Sequence, residues 1–305
     1  MKDLLDKRLV VVTGKGGVGK STVALALGVR AAEQGRRTIV CEVSSQERIS
    51  HAFHRDSVGF AESELGPNLY AISIDPEEAM REYVLLSLKV KAMRDLLFRS
   101  KLFTYLAAAT PGLKELVTIG KVWELALEER KVKGGKPYDL VILDAPATGH
   151  GIGFLQTPRT FANVARVGPI ATQAETLHRF ITNHRKTGVA IVALPEEMPV
   201  NETAMLERDL TRTVGVGVDR IFLNGLYPER FSPADEEALE AGLGKAQGPA
   251  RDAIGAALAV SRRSASQRDQ LGRLESLTRA PVTTLPFLFE PEIDIEWLRE
   301  LAAVV

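Results

Sequence analysis

Residues 13–22 read TGKGGVGKST, and their types and spacing point to one chemistry, the holding of phosphates. Gly14 to Ser21 fits the pattern Gly, four residues, then Gly-Lys-Ser. Glycines at 14, 16, 17 and 19, with Val18 among them, let successive backbone N–H groups turn toward phosphate oxygens. The segment follows an apolar run and opens a helical one, so the partial positive charge of a helix N-terminus adds to those N–H groups. Lys20 is expected to bridge the β- and γ-phosphates of a nucleotide, and the Ser21 hydroxyl, next to Thr22, to ligate Mg²⁺. Lys15 is a second lysine where one is enough, and phosphate chemistry alone gives it no task.

A second acidic station lies far along the chain. Asp144 closes the apolar run DLVILD, where a carboxylate at a strand end can hold Mg²⁺ through water. The loop after it, APATGHG, combines glycine and threonine in a way that suits a switch sensing the γ-phosphate.

Elements of the right kind surround both stations. RLVVVT (8–13), RTIVCEV (37–43), LYAISI (69–74), DLVILD (139–144), VAIVAL (189–194), DRIFLN (219–224) and PVTTLP (281–286) read as short strands apolar on both faces. Helical patterns fall between them, among them STVALALGVRAAEQG, whose last glycine suits a helix C-terminus. Alternation of this kind predicts an α/β fold of the P-loop NTPase type: a mostly parallel β-sheet covered by helices on both faces. The chain is read as one such domain over 1–305. From Pro76 to Lys136 the rhythm breaks into helical periodicity alone, carried by Leu85, Leu86, Leu88, Met93, Leu96 and Leu97 and again by Leu116, Ile119, Trp123 and Leu127. This helical insertion, 76–136, is longer than a crossover needs. Either it packs on the sheet or it offers an apolar face to another molecule.

Composition narrows the classes. The 305 residues carry 39 basic and 39 acidic side chains, which gives no electrostatic reason to expect nucleic acid or an anionic membrane as a partner. A single cysteine, Cys41, excludes a disulfide framework and fits a reducing compartment. The first residues, MKDLLDKRLVVV, are too charged for a signal peptide, and no run approaches the roughly 20 apolar residues of a spanning helix. The expectation is a cytoplasmic protein without stable membrane insertion.

Several segments together resemble one family. GKGGVGKST with Lys15 is similar to the deviant Walker A loop, and DAPATGHGIGFLQTP (144–158) resembles the switch II of the ArsA-like family, the arsenite-pump and tail-anchored-protein-targeting ATPases. TPGLKELV (110–117), LPEEMPVNETAML (194–206), FLNGLYP (222–228) and LPFLFEPE (285–292) are similar to further elements of that family. The resemblance implies ATP and Mg²⁺ as cofactors and a dimer, in which Lys15 reaches the ATP of the opposite subunit. Charge clamps of that kind are worth roughly 10³–10⁵ in rate. It also implies that Asn224 hydrogen-bonds the adenine edge, and that Pro286 and Phe287 line the base.

The chain departs from the family at three points. The Asp expected after the second strand, which would polarise the attacking water, is replaced by Ser44, a poor general base. Glu42 or Glu47 could stand in; Glu42 at the strand end would instead touch the Mg²⁺ waters or Lys20. The Cys-x-x-Cys zinc clamp of the eukaryotic targeting members is absent, and so are the three cysteines that bind arsenite. His51, His54, His150, His178 and His184 show no metal-ligand spacing.

These readings converge on a Mg-ATP-dependent dimeric switch ATPase, with Lys15, Lys20, Glu42, Ser44 and Asp144 at the chemistry. Its partner would be a second copy or a related ATPase chain, and its client a protein with an apolar helix bound at the insertion. One alternative is a weakly hydrolytic subunit paired with a related chain that brings the missing acid. Another is a partition or septum-site ATPase acting on filaments or membranes, which the acidic segment EIDIEWLRELAAVV disfavours.

Overall fold

The computed structural model describes residues 4–43, 48–54, 57–87, 110–146, 148–165, 168–290 and 294–305. Its first elements are β1 (Leu9–Gly14), α1 (Lys20–Glu33), β2 (Thr38–Val43), the short α2 (Arg48–Ala52), β3 (Ser63–Gly66) and β4 (Leu69–Ile74). Then come α3 (Pro76–Ser87), α4 (Leu113–Leu125), β5 (Leu140–Asp144), α5 (Thr148–Ala165) and α6 (Pro169–Ile181). The rest is β6 (Thr187–Ala193), α7 (Glu197–Asp209), β7 (Arg220–Leu226), α8 (Pro233–Leu243), α9 (Pro249–Leu277), β8 (Val282–Pro286) and α10 (Ile295–Ala302).

The strands form one sheet in the order β3-β4-β2-β5-β1-β6-β7-β8. Every neighbouring pair is parallel except β3 with β4. All seven strands expected from the sequence are present, displaced by at most two residues at either end. The edge strand β3 was not expected, because SELG is polar and half exposed and shows itself only by pairing with β4.

Alternation along the strands sorts their side chains into two cores. Val11, Ile39, Cys41, Val141, Leu143 and Ile191 pack toward α4, α5, α6 and α7. Val10, Val12, Val40, Ile142, Ala190 and Val192 pack toward α1 and α10. Each fully buried branched side chain contributes about 1.5–3 kcal/mol, so helices on both faces are what makes runs such as LVVVTG stable as strands. Burial pushes the Cys41 thiol far above its ordinary range, which suits a core residue and not a nucleophile. Helix α10 seats Leu298 and Leu301 in the second core, and Arg30 on α1 donates to the Ala302 carbonyl at 2.7 Å.

Within 76–136 the described residues hold two helices, and 126–136 is not helical, so Leu127 lies beyond the end of α4. On α4, Leu116, Ile119 and Val122 are buried in the first core, which explains their periodicity by packing. On α3, Leu85 and Leu86 are exposed instead. Leu88, Met93, Leu96 and Leu97 lie outside the described residues. A buried ionic cluster ties this region to the sheet. The Arg130 guanidinium, with its side chain 1% exposed, meets Glu124 of α4 at 2.9 Å and Glu62 beside β3 at 2.6 Å. Tyr138 donates to Glu62 at 2.7 Å, and Lys121 joins Glu82 of α3 at 2.7 Å. Burial raises the Glu62 carboxyl, but the bonds from Arg130 and Tyr138 outweigh it and hold the group below the usual carboxylate range.

Candidate nucleotide site

The C-terminal ends of β1, β2, β5, β7 and β8 lie at one end of the sheet, where ligands of open parallel sheets bind. Residues 15–19 form the turn from β1 into α1 there. Gly14 and Gly19 take φ of +145° and +91°, which L side chains rarely adopt. A Cβ at Gly14 would overlap the Val192 carbonyl, and one at Gly19 would overlap the Asn224 amide. No side chain caps the start of α1, so its first backbone N–H groups fit an anion. Lys20 is buried and its ammonium donates to the Lys15 carbonyl at 2.8 Å.

Ser21 and Asp144 lie side by side. The Ser21 hydroxyl donates to Asp144 Oδ2 at 2.5 Å, and both residues are buried. Glu42 stands in register with Asp144 on the neighbouring strand and is itself buried. Its Oε2 accepts from the Ile49 N–H at 3.4 Å. Two carboxylates and a hydroxyl are hard oxygen donors, the type that suits Mg²⁺. Among the described residues no three of His, Cys, Asp and Glu form a metal group by themselves. Ser44 and Glu47 lie outside the described residues, as do the side chains of Thr148 and His150.

Lys15, Gly16 and Gly17 form the exposed rim of the loop, while Val18 is buried and Thr22 half-buried. The Lys15 ammonium pairs with Glu202 of α7 at 2.8 Å. Beneath the loop, Asn224 Nδ2 donates to the Val18 carbonyl at 3.0 Å. Pro286 pairs with Leu226, and Phe287 hydrogen-bonds back to the Leu226 carbonyl at 2.9 Å. Asn224 lies against Gly19, and Phe287 stands against the next residue of β7, Gly225. Two neighbours of the expected residues were not singled out from the sequence. Glu202 sits in the quoted run NETAML without a role there, and Tyr227 stacks on Phe287 with ring centroids 4.6 Å apart. Both were contiguous with expected residues, but only the fold shows what they touch.

A sheet of this order with a glycine loop feeding α1 and an acid ending β5 defines a P-loop nucleotide-binding protein. The profile of the anion-transporting ATPase family matches residues 7–171, more than half of the chain. ATPase BagA of Mycobacterium tuberculosis is 31% identical over 238 residues, covering 75% of this chain and 68% of that protein. A putative arsenical pump-driving ATPase of Aquifex aeolicus is 25% identical over 75% of this chain and 83% of its own. ATPase GET3 of Kluyveromyces lactis is 25% identical over 75% of this chain and 74% of its own. The chain belongs to the anion-transporting ATPase family, and it is an ATPase. Among the described residues no helix is long and apolar enough to cross a membrane.

Proposed function

We propose that this chain is a Mg-ATP-driven switch working as a dimer, with a second copy of itself or with a related ATPase chain. The observation that carries the reading is the position of Lys15. Its ammonium stands at the exposed rim of the loop against Glu202, while Lys20 alone turns back into the loop. An exposed ion pair contributes only about 0–1 kcal/mol, so Lys15 can leave Glu202 for a stronger anion brought by another chain.

In this reading the N–H groups of residues 14–22 and Lys20 hold the phosphates. Ser21 and Asp144 hold Mg²⁺, which when bound neutralises charge on the transferring phosphate. Asn224 keeps its amide nitrogen on Val18 and turns its oxygen toward the adenine amino group, with Pro286 and Phe287 beside the base. Lys15 completes the partner's site, which couples turnover to closure of two chains. Closure would then act on a client at the insertion. A cavity of about 740 Å³ between α3, α4 and α6 supports that part, lined by Met80, Val84, Leu116, Trp123, Ile170 and Leu177 among others. A helix of some 20 residues needs floor from two such subunits.

The alternative of a weakly hydrolytic subunit with a related partner rests on Ser44. One experiment separates the two: turnover by the purified chain alone, with its mass followed by light scattering with and without Mg-ATP. Turnover with an ATP-induced dimer supports the self-sufficient switch. Tight binding without turnover favours the paired subunit, and a monomer that turns over ATP at full rate overturns the dimer reading.

A further inference from the structure

Strand β7 does not run regularly to its end. It pairs with β8 at Leu223 and Thr284 and again at Leu226 and Pro286, so Asn224 and Gly225 stand opposite the single residue Leu285. Two residues against one make a β-bulge, a device that re-aims side chains beside functional sites. Alternation along the strand shows its effect. Ile221 and Leu223 belong to the first core and Phe222 to the second, so Asn224 falls on the α1 side, where its amide lies against Gly19. In a regular strand Leu226 would share that side, yet Leu226 packs against the first core. Gly225, at φ +78°, absorbs the step.

A bulge leaves its extra residue outside the ladder, and backbone groups shielded from water need other partners. Here a side chain from a different element supplies them. Gln267 of α9, 5% exposed, accepts from the Tyr227 N–H at 2.7 Å and donates to the Gly225 carbonyl at 3.2 Å. Each partner admits only one end of the amide, which fixes the orientation of the side chain. From the same face of α9, Ser264 and Arg268 both donate to the Tyr227 carbonyl at 3.4 Å. Phe287 stacks on the Tyr227 ring and packs against Gly225. Asn224 and Phe287, the two residues read as meeting the base, thus flank one short backbone segment that α9 holds.

We infer that Gln267 is a positioning residue for recognition of the base. By bracing the backbone from Gly225 to Tyr227 it sets the spacing of Asn224 and Phe287, and it acts through them. The inference rests on the nucleotide-site reading above, and the nucleotide preference of the unaltered chain tests that reading separately.

The test is calorimetric titration of the full chain with ADP, GDP and inorganic pyrophosphate. Gln267→Met keeps the length of the side chain and removes both hydrogen bonds. ADP affinity should fall about tenfold, because two backbone groups lose their partner. The preference for ADP over GDP should shrink with it, while pyrophosphate, which has no base, should bind within about two-fold of wild type. Ser261 is the control, since it lies on the same buried face of α9 but bonds Glu236 of α8. Ser261→Ala should leave ADP affinity and the preference unchanged. Unchanged ADP affinity in Gln267→Met overturns the inference. So do equal losses for ADP, GDP and pyrophosphate, or a Ser261→Ala chain that behaves the same way, since either would make Gln267 a residue of the fold alone. A wild-type chain that binds no ADP, or binds ADP and GDP alike, would overturn the base-side reading beneath the inference.

Discussion

The Lys15 ammonium lies 2.8 Å from Glu202 Oε1, joining the rim of the phosphate loop to helix α7 within one chain. Both side chains are partly exposed, at 48% and 30%. A pair of this kind holds a lysine in place without committing it.

Removing either partner should therefore have opposite effects. Lys15→Ala should leave ATP affinity within a few-fold of wild type but abolish ATP-driven dimerisation or turnover. Glu202→Gln frees the lysine and should lower the protein concentration needed for Mg-ATP dimerisation by about two- to five-fold, the equivalent of ~1 kcal/mol or less. Light scattering across a concentration series reads both. A Glu202→Gln chain that dimerises worse than wild type would show that Glu202 works across the interface and not as a holder of Lys15.

Asn224 makes a second local prediction. Its amide donates to the Val18 carbonyl beneath the loop, and in the proposed reading its oxygen faces the base. Asn224→Ala should weaken ADP binding about tenfold, since a hydrogen bond and the support of the loop go together. Preference for ADP over GDP should shrink in the same variant. Calorimetry with both nucleotides would show it, and an unchanged preference would remove Asn224 from base recognition.

Arg130 should matter for stability and not for nucleotide. Its buried guanidinium serves Glu124 and Glu62 at once, and taking away one partner of a buried ion pair costs about 3–5 kcal/mol. Arg130→Ala should lower the thermal midpoint by many degrees. Adding Glu62→Gln should recover part of the loss, because fewer buried charges are then left without an opposite. An additive double variant would contradict the coupling.

His178 gives a pH dependence whose sign can be worked out. Burial lowers its pKa, against the opposing pull of Glu175, so the folded chain binds the proton less readily than the unfolded chain. Where the unfolded state holds more protons, stability rises with pH. This histidine therefore takes nothing from stability above its ordinary value near 6.5, and acidification below that value progressively destabilises the fold. The drop in thermal midpoint between pH 7.5 and pH 5.5 should be smaller in His178→Gln than in wild type. An identical drop would assign the acid sensitivity to other groups.

The strands and the phosphate loop were legible in the sequence because each is a local pattern. A strand covered on both faces is a run of Val and Ile, and the loop is a fixed spacing of Gly, Lys and Ser. Strand β3 was not legible, since SELG carries no apolar period and exists by virtue of β4. The stripe on α4 could be seen, but nothing local tells a stripe that meets a core from one that meets a partner. Leu116 and Ile119 turned out to be core, while Leu85 and Leu86 on α3 face out. Long-range pairings were the least accessible. Lys15 with Glu202, and Glu42 beside Asp144, depend on which strands become neighbours, and the order of eight strands is not written in any one of them.

The seating of α10 has one more consequence. Helix α1, which begins at the phosphate loop, is covered by Leu298 and Leu301 and tied by Arg30 to the carbonyl of Ala302. On the ribosome the loop emerges early and its cover emerges late. A nascent chain thus makes α1 long before it makes the segment that covers it.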